Sequence, residues 1–126
     1  MISRNLTRLA AAVAMIGSTS GVALAADASG VWLRDNGASR VKIAPCGAAL
    51  CGKVVWLKDE GGPAKIGQRV FFDMKPHGEG HWSGKAFNPQ DGKTYSGTLS
   101  LSGDTLTTSG CVLGVLCRSV NWSRVE

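Results

Sequence analysis

From Gly30 onward, apolar side chains recur at every second position, in short runs separated by turn-forming residues. A period of two places successive side chains on opposite faces of an extended chain, so each run must bury one face against its neighbours. Ser39–Pro45 sets Val41 and Ile43 against Arg40 and Lys42. Lys93–Ser102 puts Tyr95, Gly97, Leu99 and Leu101 on one face and hydroxyls on the other. Cys117–Val125 gives Val120, Trp122 and Arg124 a common face, with Arg118 in the same parity. Gly30–Leu33, Cys51–Lys58, Gly67–Met74, His81–Phe87 and Asp104–Cys111 complete the set. The strongest turn signal, Asn-Pro followed by Asp-Gly, lies at Asn88–Gly92. About eight short antiparallel strands follow, the pattern of an all-β sandwich or barrel. Gly52, Gly84, Gly97 and Gly110 fall inside the runs. Strand glycines mark bulges and sharp bends, which favour a sheet rolled into a closed up-and-down barrel over a flat sandwich.

The segment before this domain has a different character. Arg4 and Arg8 precede and flank an apolar run, Leu9–Ile16, and Val22-Ala23-Leu24-Ala25 ends in an A-x-A pattern. That is the grammar of a secretory signal peptide cleaved after Ala25, leaving one domain over Ala26–Glu126. The apolar run is shorter than the roughly 20 residues a bilayer span needs. Ala26, not Cys, follows the cut, so no lipid anchor is expected, and the mature protein is placed in the periplasm or outside the cell. Loss of Arg4 and Arg8 lowers the formal charge from +5 to +3. The remaining cations are scattered, without the basic stripe that nucleic-acid binding requires.

An oxidising compartment decides the role of Cys46, Cys51, Cys111 and Cys117. Four cysteines permit three pairings. The two close pairs each flank a loop of hairpin length, which brings their ends within disulfide reach, so Cys46–Cys51 and Cys111–Cys117 are expected as structural staples. Neither pair has C-x-x-C spacing or a nearby histidine, which argues against redox or zinc chemistry.

Gly30-Val31-Trp32 is similar to the G-x-W of lipocalins and other calycins, and Arg124 on the last run is similar to the late arginine of that superfamily. The resemblance implies that Arg124 lies across Trp32 and closes one end of a barrel, a guanidinium on an indole face. A broader pattern covers nearly the whole domain: Gly30–Trp32, Cys46–Leu57, Trp82–Gly84, Asn88–Gly97, Gly110–Cys117 with Arg118, and Trp122 with Arg124. It resembles an exported bacterial family, domain of unknown function 2147. The resemblance implies a small lipocalin-like barrel and brings no activity with it. Asp59–Gln68 is shorter than the family's usual segment there, at the mouth of any cavity.

Trp56, Trp82, Tyr95, Arg118 and Trp122 are the candidate lining of a pocket for a small apolar or fatty-acid-like ligand; Arg118 is a carboxylate anchor if its face is interior, or a rim residue, since it directly follows Cys117. An eight-stranded barrel is just wide enough to hold one small ligand or to fill itself with side chains. The competing expectation is therefore a ligand-free envelope interaction module with a self-filled core. Asp73, His77 and His81 recur every four residues, but Pro76, Gly78 and Gly80 deny them a helical face, so no metal site is expected. There is no G-x-S-x-G elbow and no cysteine expected to be free as a nucleophile, so the chain is read as non-catalytic and without a cofactor.

Overall fold

The computed structural model describes residues 27–126. The signal-peptide expectation for residues 1–25 lies outside them. Eight strands run in chain order: β1 (Gly30–Arg34), β2 (Ser39–Cys46), β3 (Ala49–Leu57), β4 (Arg69–Pro76), β5 (His81–Asn88), β6 (Lys93–Ser102), β7 (Thr105–Val112) and β8 (Leu116–Arg124). Each pairs antiparallel with the next, and β8 returns to pair with β1, so the sheet closes into an eight-stranded up-and-down barrel. The alternating runs are the cause. Each strand has one apolar face, and rolling the sheet buries all eight faces at once while removing both free edges.

The seam is short. Trp32 pairs with Arg124, Leu33 with Ser123 and Arg34 with Trp122. The main chain extends it on one side, where Val31 N–H donates to the Glu126 carbonyl at 3.0 Å and Val125 N–H to the Val31 carbonyl at 2.8 Å. Register shifts at three strand pairs curl the wall: one between β2 and β3, two between β3 and β4, and one between β4 and β5. At the last of these the backbone of Phe72 and Asp73 bulges toward β5. A side chain at Gly84 would put its Cβ 2.4 Å from both the Phe72 and Asp73 carbonyl oxygens, so only glycine fits.

The Trp32 end of the barrel is solidly packed. Trp32, Ile43, Met74, Leu99 and Leu106 are fully buried there, with Val41 and Trp82 beside them. Residues before β1 plug this end: Ala28 is buried, and its carbonyl accepts the Trp32 indole N–H at 2.9 Å. The opposite, distal end carries the β1–β2, β3–β4, β5–β6 and β7–β8 connections. Ala64, in the β3–β4 connection, packs against the core. Disulfides Cys46–Cys51 and Cys111–Cys117 clamp the β2–β3 hairpin at the Trp32 end and the β7–β8 hairpin at the distal end.

Candidate functional site

At the Trp32 end the Arg124 guanidinium lies 4.4 Å from the indole centroid. It donates to the Ser29 carbonyl at 2.8 Å and the Asp27 carbonyl at 3.2 Å, and its Nε meets Asp104 at 3.3 Å. A cation stacked on a ring, with its fork on the plug segment, is a closure device. It leaves the distal half of the barrel as the place where a ligand site has to be sought.

The five candidate pocket residues do not converge. Trp82 is buried at the Trp32 end, paired with Leu99, as part of the packed core. Trp122 sits deeper in the barrel. Its indole N–H donates to Thr108 Oγ1 at 3.0 Å, and the Phe71 ring meets it edge-on at 6.3 Å between centroids. Thr108 is thereby satisfied in a buried position that a hydroxyl would otherwise find costly.

Trp56 is a correction: it lies on the outer surface. Simple alternation from Gly52 and Val54 would point it inward. The register shifts at Arg40/Val41, so that Trp56 pairs with Arg40 and Val54 with Val41, leaving Val55 as the extra residue. Parity inverts there, Leu57 turns into the core, and Trp56 faces out with the Arg40 guanidinium 5.1 Å from its ring.

Tyr95 and Arg118 share the inward parity but stand at the distal rim. Tyr95 is half-buried, and its hydroxyl donates to Asp91 in the β5–β6 turn. That bond raises the phenol above its ordinary pKa, with smaller contributions from burial and the Asp91 charge, while the Arg118 charge opposes them. The same bond, with the Lys93 amide, lowers the Asp91 carboxyl. Arg118 is exposed, at the rim rather than inside. It pairs with Gly110 on a part of β8 that runs beyond the end of β1. His77 and His81 are both exposed, in the β4–β5 hairpin, where the His77 amide donates to the His81 carbonyl.

The inward-facing cation of β1 is Arg34, which is half-buried. Trp32 and Arg34 are separated by one residue on β1, so they share the interior face, and Arg34 pairs with Trp122 across the seam. Its Nε is buried and has no hydrogen-bond partner among the described residues. A guanidinium N–H without a partner is an unspent donor for a carboxylate or phosphate oxygen. The signal was present in the sequence as Gly30-x-Trp32-x-Arg34, one alternation further along the G-x-W strand. On β7 a Cβ at Gly110 would meet only the Tyr95 Cβ, at 3.6 Å, whereas Gly97 on β6 is covered by Met74 and Ala86. The distal interior thus combines Arg34, the Trp122 indole, Gly110 and a polar rim of Tyr95 and Arg118.

The model of a bacterial family described as "Uncharacterized protein conserved in bacteria (DUF2147)" matches residues 30–124. The chain belongs to that family. The match begins at the first residue of β1 and ends at the last residue of β8, so the DUF2147 unit is the barrel itself. Among solved structures, the chain is similar to protein HP1028 from Helicobacter pylori, described as belonging to the lipocalin family. The two share 18% sequence identity with a TM-score of 0.62, over 79% of this chain and 84% of that one. At that identity the likeness establishes a lipocalin-like fold for this DUF2147 barrel. No curated protein matches the chain.

Proposed function

We propose that this barrel is an exported, non-catalytic binding protein for a small amphipathic molecule, acting in the periplasm or outside the cell. The ligand's anionic head meets Arg34, and its apolar part lies along Trp122 and the open stretch of β7 at Gly110. The observation that carries the reading is the buried, unpartnered Nε of Arg34 on the inner face of a lipocalin-like fold. A buried N–H is costly to leave unsatisfied, and an anionic ligand would relieve that cost. The two disulfides fit a protein built for an oxidising compartment.

Native mass spectrometry of protein from its own host, with tryptophan fluorescence against a panel of fatty acids, tests the reading. Trp122 is the natural reporter because it pairs with Arg34. The expected result is a co-purified lipid-like mass and a saturable fluorescence response. Arg34→Met should weaken binding by about tenfold or more, the value of one charge-assisted hydrogen bond. An empty mass together with no response to any fatty acid overturns the reading. The self-filled alternative has its own support in the Phe71–Trp122 contact and in Met74, whose methyl packs against Gly97. The empty result is the one it requires.

A further inference from the structure

The β7–β8 hairpin carries a tip that serves no purpose in the barrel. Val112, Leu113, Val115 and Leu116 are 43%, 91%, 76% and 73% exposed. β8 pairs with β1 only over Trp122–Arg124, so this hairpin arm runs past the end of β1 with a free β8 edge from about Leu116 to Val120; β6 stays paired with β7 as far as Cys111, and only the tip, Val112–Leu116, stands clear of the sheet. The arm changes chemistry along its length. Its body pairs hydroxyls and amides, Thr107 with Asn121 and Ser109 with Ser119, whereas its tip is wholly aliphatic. The tip also departs from turn chemistry. Leu113 has φ +55° and Gly114 φ +71°, and the Val115 amide donates to the Val112 carbonyl at 3.1 Å. A two-residue turn with both φ values positive favours asparagine or aspartate before the glycine, and leucine there is strained. The chain thus accepts backbone strain to hold an aliphatic side chain in water, and Cys111–Cys117 fixes the arm behind it. Strain of this kind points from an observed outlier to a function.

We propose that this tip is a membrane-docking element that inserts shallowly into an anionic phospholipid surface. Its size argues for lipid over protein. Four aliphatic side chains fall short of the roughly 800 Å² per partner that a stable protein interface buries, whereas shallow insertion needs only a few. Its charge argues for anionic lipid. Exposed Arg118 lies behind the tip on β8, and exposed Lys93 begins the neighbouring strand β6. The same end carries the exposed acids Asp35, Asp59, Glu60 and Asp91 against the exposed cations Lys58, Lys65, Arg69, Lys93 and Arg118, and it is Arg118 and Lys93 that flank the tip. Each basic group near an anionic surface raises partitioning by about fivefold. This proposal does not depend on the interior ligand site.

Co-flotation of the mature protein with vesicles of equal parts phosphatidylcholine and phosphatidylglycerol, against vesicles of phosphatidylcholine alone, tests it. The wild type should float with the anionic vesicles and more weakly with the neutral ones. Leu113→Asn suits the turn and removes the apolar tip, so it should keep or raise the melting temperature while lowering partitioning by about tenfold. Arg118→Gln should reduce the preference for the anionic vesicles severalfold. A wild-type protein that stays at the bottom of the gradient overturns the proposal. Vesicle binding unchanged by L113N also overturns it, as does a tip that instead holds two copies of the chain together and leaves no vesicle-bound fraction.

Discussion

Removing the Arg124 side chain should unfasten the barrel at its seam, and the structure allows the cost to be worked out by contact. Stacking on Trp32 at 4.4 Å contributes about 0.5–2 kcal/mol. The 2.8 Å bond to the part-buried Ser29 carbonyl, from a charged donor, contributes about 1.5–3 kcal/mol. The Asp104 carboxylate is 87% exposed, so its ion pair contributes close to nothing. The bond to the Asp27 carbonyl is also exposed and is discounted in the same way. Arg124→Ala should therefore cost about 3 kcal/mol, and Asp104→Asn less than about 0.5 kcal/mol. In a domain of this size the first figure corresponds to a fall in Tm of roughly 10–20 °C. Arg124→Lys keeps the charge but loses the planar stack and the fork, and should fall between the two. Urea unfolding followed by tryptophan fluorescence, with the m-value unchanged, measures each difference. If Arg124→Ala lies within about 0.5 kcal/mol of the wild type, or if Asp104→Asn costs as much as Arg124→Ala, closure does not work through the stacked guanidinium.

Two further outcomes separate close approach from open space and surface from core. Gly84→Ala would press its Cβ against two backbone carbonyls at 2.4 Å and should cost more than about 3 kcal/mol, whereas Gly110→Ala, with only a side-chain carbon at 3.6 Å, should stay within about 1 kcal/mol; thermal unfolding of both compares them directly. The Tyr95–Asp91 bond should stabilise the fold within a pH window. Its lowered carboxyl contributes above the ordinary aspartate pKa and loses that contribution as pH falls through the folded value, while the raised phenol contributes below the ordinary tyrosine pKa and loses it as pH rises through its folded value. The Tm difference between wild type and Tyr95→Phe should thus be largest near neutrality and shrink at both extremes; a difference that stays constant into acid contradicts the assignment.

Much of the architecture was legible because it rests on local signals. Alternation in Ser39–Pro45 and Lys93–Ser102 assigned their faces, and both strands keep them. Loop length predicted both disulfides, because five- and six-residue separations in a hairpin bring the sulfurs together without help from the rest of the fold. The candidate site was less legible, and Trp56 shows one reason. Val54-Val55-Trp56-Leu57 is a run of four apolar residues, and nothing local says which neighbour absorbs the extra position. Arg118 and Arg34 show the other. Both sit at inward parity, yet one stands on an arm past the end of β1 and the other beside Trp122.

The chain's own pattern determined that there would be eight antiparallel strands, which face of most would be buried, and where the staples would lie. Alternation is a property of each strand alone, and it survives whatever the strand pairs with. Depth along the barrel axis was decided only by the closed sheet. It depends on the stagger of every strand against its neighbour and on the bulges that invert parity. Those are fixed when β8 meets β1, and with them it was settled that Arg34 is half-buried with its Nε inside and Arg118 is left exposed at the rim.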